Sequence, residues 1–545
     1  MLSELVADNR ILIVDRAPFL RDALRRMLLA MGAVQVDTAA TASRAVALCR
    51  TLNYDLVLAD HDLGSGKNGQ QVLEELRAEK LLRHVAGYMV ITAETTRDVV
   101  LSTLDYQPDD YLAKPYPAHL LERRVKRLLK FKTRLHHVFN AIDHEDYPRA
   151  IEHARHYLAH DDEFRGNCLR ILGQLHLACG ELDAAQALYR QELARQSADW
   201  ARMGLGKVLL AQRQWAEAEQ LFLQLIDTNY LYVEAYESLA ALYVQQDQPE
   251  RAQAILARAV LVSPRSLRRQ LQYARLCERN SHYDVAALAW REVIRIVRHS
   301  RHEGPDHHLA LARNLSDFCE LRNAFGDERL SGEAFKAIDF LRAKYRPYGD
   351  DLLQSLLIEG RLHYGKGNLE QGKLCLREAN ALYVQAPASY SAESRLEFAK
   401  SLSRAGETEQ AQALLAEVVA EPGPDPALLA RADKVLDEPV SQGGKRKIIE
   451  LNHLGIERFR ANDFVGARSA FTLAHARFPR NVELNLNLLQ ALLKLIAKGE
   501  DSREREDWLA EAESCLHLIG ELTREHPKYE VYRRLQQEVQ ELQRR

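Results

Sequence analysis

One pattern limits what most of this 545-residue chain can fold into. A small residue is followed by another twelve positions later, and by a large apolar residue four further on. Gly173, Ala185 and Tyr189 form one set, and Gly206, Ala218 and Phe222 the next. Ala240, Ala252 and Leu256 follow, then Ala274, Ala286 and Trp290. Successive sets are 33 or 34 residues apart. Further sets occur at Gly360, Gly372 and Leu376, at Ala399, Ala411 and Leu415, and at Gly455, Ala467 and Phe471. Strand signals stop after about residue 138, and helical periodicity continues almost to Arg545. Small residues at matched positions let two helices approach closely, and the large one fills the next layer.

Pro264 and Pro479 stand where a unit of this kind ends. The pattern resembles the tetratricopeptide repeat (TPR), two antiparallel helices per unit. The resemblance implies an all-α solenoid over 131–545, with an extended concave face that binds peptides, helices or folded proteins. Clear units are expected at about 166–299, 353–420 and 448–480. Degenerate ones are expected at 300–345 and 482–527, the latter with an insertion, and a Pro- and Gly-containing linker at about 421–447. The resemblance implies that Arg170, Gln174, Lys207, Arg268 and Arg275 face the groove, with Glu234 and Glu237 among them. The protein ligand of that groove is unknown.

Residues 1–130 read differently. Arg10–Asp15 is a short apolar run ending in a carboxylate, and four more candidate strands follow at 34–38, 55–59, 88–92 and 109–113. Helical stretches separate them, for example 18–31 and 70–80. Strands alternating with helices predict βαβ units and a parallel sheet covered on both faces. Asp15, Asp60, Thr92 and Lys114 fall at or just after the C-terminal ends of strands, the edge where open α/β sheets build their sites.

The segments Leu12-Ile13-Val14-Asp15, Asp55-Leu56-Val57-Leu58-Ala59-Asp60, Val90-Ile91-Thr92-Ala93 and Asp110-Tyr111-Leu112-Ala113-Lys114-Pro115 resemble the receiver domain of two-component response regulators. The resemblance implies a flavodoxin-like five-stranded sheet of order 2-1-3-4-5. It makes Asp60 the acceptor of a phosphoryl group from a histidine kinase or phosphotransfer protein. Mg²⁺ would be held by Asp15, Asp60 and the backbone carbonyl of Asp62. Lys114 would pair with a phosphoryl oxygen, Thr92 would hydrogen-bond the group and move inward, and Tyr111 would change rotamer as the switch residue.

Two departures from that family stand out. The second acid after the first strand is replaced by Arg16, which implies a weakened Mg²⁺ site: the cation either swings into solvent or occupies the metal position. After the acceptor, the family's proline is missing and the run Asp60-His61-Asp62-Leu63-Gly64-Ser65-Gly66-Lys67-Asn68-Gly69 is one residue longer and glycine-rich.

Charge and composition narrow the partners. The net charge of -3 calls for neither nucleic acid nor membrane. No apolar run reaches the roughly 18 residues of a membrane span. The first residues lack the charged start and apolar core of a secretory leader, so a cytoplasmic protein is expected. The seven cysteines are scattered, with no C-x-x-C pair, and read as buried hydrophobes. No nucleotide-binding, metalloprotease or hydrolase motif is present, so no enzyme is expected. The sequence therefore reads as a response regulator whose output is protein binding. Two alternatives stay open. One is an atypical receiver that never takes phosphate and serves in docking or dimerisation. The other is a transcription regulator contacting DNA through the basic helix 121–135, where Arg123, Arg124, Lys126, Arg127, Lys130, Lys132 and Arg134 cluster.

Overall fold

The computed structural model describes residues 4–94, 96, 100–102, 105–423, 425–498 and 502–543. After a single turn at Glu4–Ala7, the N-terminal part runs β1 (Arg10–Val14), α1 (Pro18–Ala30), β2 (Gln35–Ala39), α2 (Ala42–Thr51), β3 (Leu56–Asp60), α3 (Gly69–Ala78), β4 (Gly87–Thr92), β5 (Asp110–Ala113) and α4 (Ala118–Arg134). The strands form one parallel sheet of order 2-1-3-4-5.

Alternation along each strand builds two cores. Leu12, Val14, Val57, Ala59, Tyr88 and Val90 pack on one face with Val72 and Leu76 of α3. Ile11, Ile13, Leu56, Leu58, Met89 and Ile91 pack on the other with α1 and α4. Both faces are dry, so β3 and β4 are apolar along almost their whole length. Chain order reverses between β1 and β3, which places the topological switch point beside Asp15 and Asp60.

Local signals start the helices. Pro18 opens α1, where its missing N–H costs nothing, and Asn68 with Gln71 forms a reciprocal capping box on α3. At Gly69 a Cβ would lie 2.3 Å from the carbonyl oxygen of Asp60, so only glycine lets the loop after β3 return this closely.

Helix α4 buries Leu121, Val125, Leu128, Leu129 and Lys132 along one side. It leads straight into His136–Asp143, and Phe131 meets Phe139 and Phe164 edge-on. Everything described beyond it is helical. Consecutive helices pair, among them Asp199–Ala211 with Trp215–Thr228, Gly349–Gly365 with Leu369–Gln385, and Phe464–Arg477 with Gln442–Arg460. The small-residue sets sit at these crossings: a Cβ on Gly206 would come within 2.5 Å of the Phe222 ring, and one on Gly455 within 2.2 Å of Phe471. This is the TPR-like packing that the sequence anticipates.

Two compact units make up the chain. One holds the sheet and the helices to Tyr273 together with Glu292–Glu303; the other holds Ala274–Arg291 and Gly304–Arg545. In the second, most of the stretch expected to be degenerate, 300–345, forms two long helices, Pro305–Arg322 and Leu330–Tyr345, packed together. The stretch 421–447, expected as a linker from its prolines and glycines, is itself packed. It holds the helix Pro426–Ala432 and the start of Gln442–Arg460, and Leu428, Ala432 and Val435 are buried. With Leu436 and Val440 packed beside them, these apolar side chains outweigh the turn-forming residues around them.

Candidate functional site at the sheet edge

Asp60 ends β3, Asp15 directly follows β1, Thr92 ends β4 and Lys114 directly follows β5. The sheet brings all four to one edge. The Lys114 ammonium lies between two carboxylates, 2.9 Å from Oδ2 of Asp15 and 2.8 Å from Oδ2 of Asp60. The Lys114–Pro115 peptide bond is cis. Asp15 is almost fully buried. Its Oδ1 accepts from the Ala17 N–H at 2.8 Å, and its carbonyl accepts from the Arg21 guanidinium. The free oxygen side of Asp60 is steadied by the Asp62 N–H, 3.3 Å from Oδ1.

The electrostatics follow from burial and crowding. Burial raises the Asp60 pKa above the ordinary carboxylate range; hydrogen bonding and attraction from Lys114 oppose it, and the Asp15 charge reinforces it. Burial works against the charge of Lys114, but its hydrogen bonds to Asp60 and Asp15 outweigh this and hold its pKa above the usual value. Burial lowers the pKa of the adjacent His61, a residue the sequence reading did not single out.

Thr92 and Tyr111 are joined through one residue. The Thr92 hydroxyl accepts from the Glu94 N–H at 3.0 Å, and the Tyr111 hydroxyl donates to the Glu94 carbonyl at 3.0 Å. Thr92 is thus bonded to the loop after β4. Tyr111 is placed where a movement of that loop would release it.

Arg16 takes the first of the two courses open to it. Its guanidinium pairs with the Asp62 carboxylate at 2.9 Å, and both side chains are more than half exposed. Asp62 also accepts from the Gly64 N–H, and Gly64 and Gly66 adopt the left-handed conformation that suits glycine. Arg16 therefore braces the glycine-rich loop, and Lys114 holds the position between the two carboxylates.

The donor set tests the fit of Mg²⁺. Two carboxylates and a backbone carbonyl are hard oxygen donors, enough for an ion that keeps several of its waters. Asp15, Asp60 and the carbonyl of Asp62 fit that role, without the usual third carboxylate. Arg16→Asp is expected to tighten Mg²⁺ binding about tenfold, the order that a lost or gained site contact is worth. Titration calorimetry of the two proteins with Mg²⁺ checks this; equal affinities would place the weakness elsewhere.

The positions expected to line the repeat groove differ in exposure and pairing. Arg170, Gln174, Arg268 and Arg275 are exposed and Lys207 is half-buried. Lys207 pairs with Glu234 and Arg268 with Glu237, so the acids interleaved in the sequence neutralise these cations. Arg275 lines a separate cavity of about 360 Å³ in the second unit.

A contact that sequence reasoning missed lies beside Arg268. Arg269 is 1% exposed; its guanidinium reaches Asp105 at 2.9 Å, Glu237 at 3.0 Å and the Ser263 carbonyl at 2.7 Å. Nearby, Arg265 approaches Glu94 at 3.8 Å, Gln71 of α3 donates to the carbonyls of Ile296 and Arg298, and His302 meets Glu74 at 2.8 Å. Helix α3, Glu94 and Asp105 thus contact repeat helices of the same unit. The available signal was an arginine at a position of the repeat where an apolar residue would pack.

Residues 11–126 match the response regulator receiver domain. Chemotaxis protein CheY of Pseudomonas aeruginosa is 26% identical over 121 residues, 22% of this chain and 96% of its own. The DNA-binding response regulator MtrA of Mycolicibacterium smegmatis is 40% identical over 125 residues, 22% of this chain and 51% of its own. Among solved structures, the response regulator TrrA of Thermotoga maritima, in complex with Mg²⁺-BeF, is 30% identical over 22% of this chain and 98% of its own, with a TM-score of 0.20. A tetratricopeptide repeat protein from Parabacteroides merdae covers 46% of this chain and 93% of its own at 15% identity, with a TM-score of 0.28.

Proposed function

We propose that this chain, which carries a response regulator receiver domain at its N-terminus and TPR-like helices after it, takes a phosphoryl group on Asp60 and uses it to control protein binding by the repeats. The donor would be the phosphohistidine of a kinase or phosphotransfer protein. The observation that carries the reading is the Asp15–Asp60–Lys114 cluster, with two carboxylates and one ammonium in hydrogen-bond contact at the switch point of the sheet.

A carboxylate is a weak nucleophile, so transfer depends on position and charge. An oxygen of Asp60 forms the new bond to phosphorus while the bond to the donor's imidazole nitrogen breaks, and that nitrogen keeps the electron pair. Lys114, already hydrogen-bonded to Asp60, would turn one donor to an equatorial phosphoryl oxygen. Mg²⁺ held by Asp15, Asp60 and the Asp62 carbonyl would neutralise further charge on the group. Thr92 would exchange its bond with Glu94 for one to the phosphoryl group. That exchange frees the loop whose carbonyl holds Tyr111 and whose Glu94 carboxylate faces Arg265. The signal would thus reach the repeats through the face bearing Glu94 and Asp105, as well as along α4.

The experiment is hydrogen exchange on the full chain with and without beryllofluoride and Mg²⁺. Faster exchange in residues 263–273 on activation is expected. Unchanged exchange there, with beryllofluoride bound, would favour the docking module that works without phosphate, the reading that Arg16 keeps in play. The DNA-binding reading is disfavoured by the basic helix itself. Arg124, Lys126, Lys130, Lys132 and Arg134 are paired with Asp110, Glu122, Glu163, Asp109 and Asp161 of this chain. Five of its seven cations are therefore already matched.

A further inference from the structure

The second compact unit contains a cavity of about 290 Å³ whose wall is strongly cationic. Lys400, Arg404, Arg431, Lys434 and Arg480 line it, against the carboxylates of Asp317 and Glu320. The pairing within the wall shows where the excess lies. Lys400 binds Asp317 at 2.8 Å, and Arg480 pairs with Glu320. Arg431 turns to Glu393 and Glu397 behind the wall, at 2.7 and 3.2 Å. Arg404 lies over the Phe325 ring, 5.3 Å from its centroid.

Lys434 is the exception. It is buried, and its ammonium donates to the Arg279 carbonyl and, at 2.7 Å, to the Ser281 hydroxyl. Both acceptors are neutral. Burial, reinforced by the charges of Arg431, Lys400, Arg279 and Arg477, pushes its pKa down to about 7. A buried cation among cations is unfavourable unless an anion completes it. By contrast, the cavity of about 360 Å³ that Arg275 lines is balanced: Arg275, Arg279, Arg313 and Arg431 face Glu278, Asp306, Glu393 and Asp425. The excess therefore belongs to the smaller cavity.

We propose that the cavity beside Lys434 is a binding site for a compact oxyanion, a carboxylate or a phosphate group, held by Lys434 and Arg404 with Arg431 and Lys400 behind them. Leu321, Val435 and Ile519 cover part of the wall, and reduced access of water strengthens each charge contact there. The oxyanion could arrive as a free ion or on an acidic side chain of a polypeptide partner; the chemistry of recognition is the same.

The test is titration calorimetry on the full chain in EDTA, with inorganic phosphate at constant ionic strength. Saturable one-site binding is expected, weakened at least tenfold by Lys434→Met and several-fold by Arg404→Gln at the more exposed side of the wall. The second variant keeps the test sound should the first disturb folding. Competition with the peptide acetyl-Glu-Glu-Glu-amide separates the sources. Displacement of phosphate by the peptide assigns the site to a polypeptide, and phosphate binding that the peptide does not affect assigns it to a free ion. The proposal fails if neither probe binds, if both variants bind phosphate as the wild type does, or if Lys114→Met abolishes binding instead.

Discussion

Lys114→Met should slow acyl-phosphate formation on Asp60 by about 100-fold, the usual cost of removing one preorganised charge from a transition state. The ammonium bridges Asp15 and Asp60 at 2.9 and 2.8 Å, and no other cation of the described residues is paired with both. Without it, two buried carboxylates face each other, and burial together with the Asp15 charge raises the Asp60 pKa further. A protonated Asp60 is a poorer nucleophile, and the developing charge on the phosphoryl oxygens loses its partner. Lys114→Arg should restore little, because a planar fork does not fit a gap shaped around a point charge. The measurement is the initial rate of labelling from a small phosphodonor at saturating Mg²⁺. Labelling within threefold of the wild-type rate would show that Lys114 is a structural counter-ion alone.

Arg361→Met should destabilise the second unit by about 3–5 kcal/mol, the cost of breaking a buried ion pair from one side. Arg361 is 1% exposed and pairs with Asp317 at 2.6 Å and Glu397 at 2.8 Å, with Glu320 at 3.5 Å. The acids come from two helices, Pro305–Arg322 and Ala392–Ala405, and Arg361 from a third, Gly349–Gly365. Burial opposes the charge of Asp317, but Lys400 and Arg361 outweigh it and hold its pKa below the ordinary carboxylate range. The Glu397 carboxyl is lowered in the same way, with Lys400, Arg361 and Arg313 outweighing its burial. The sign of the pH effect follows. A depressed carboxylate stabilises the fold above its unfolded pKa, so this contribution is complete at neutral pH and is lost as the pH falls below the ordinary carboxylate range. Urea unfolding followed by circular dichroism should show the loss in the variant at pH 7, and a smaller difference between variant and wild type in acid. A difference below 1 kcal/mol at pH 7 would mean that the network contributes little net stability.

The sequence discloses the parts of this molecule that depend on local pattern. Ile11 and Ile13 alternate with Leu12 and Val14, and the two pairs enter opposite cores of the sheet. The carboxylates and the lysine that end or follow the strands meet because parallel strands carry their C-terminal ends to one edge. Gly206 and Gly455 mark helix crossings because no larger side chain fits against Phe222 and Phe471. What was not legible depends on distant partners. The direction of Arg16 was decided by Asp62 on a glycine-rich loop. Arg269 is matched by Asp105, 164 residues away, a pairing with no local trace. The packing of 421–447 rests on a few apolar side chains, Leu428, Ala432 and Val435 with Leu436 and Val440 beside them, too irregularly spaced for periodicity to outweigh the neighbouring prolines and glycines. Lys434 reads as an ordinary surface lysine until the surrounding helices bury it.

Asp60 is the proposed phospho-acceptor, and intact-mass spectrometry tests this most directly. The full chain is incubated with acetyl phosphate and Mg²⁺, beside Asp60→Asn. The wild type should gain the mass of one phosphoryl group, labile to hydroxylamine as an acyl phosphate is, and the variant should gain none. No gain in the wild type at high Mg²⁺, or an equal gain in Asp60→Asn, would contradict the account.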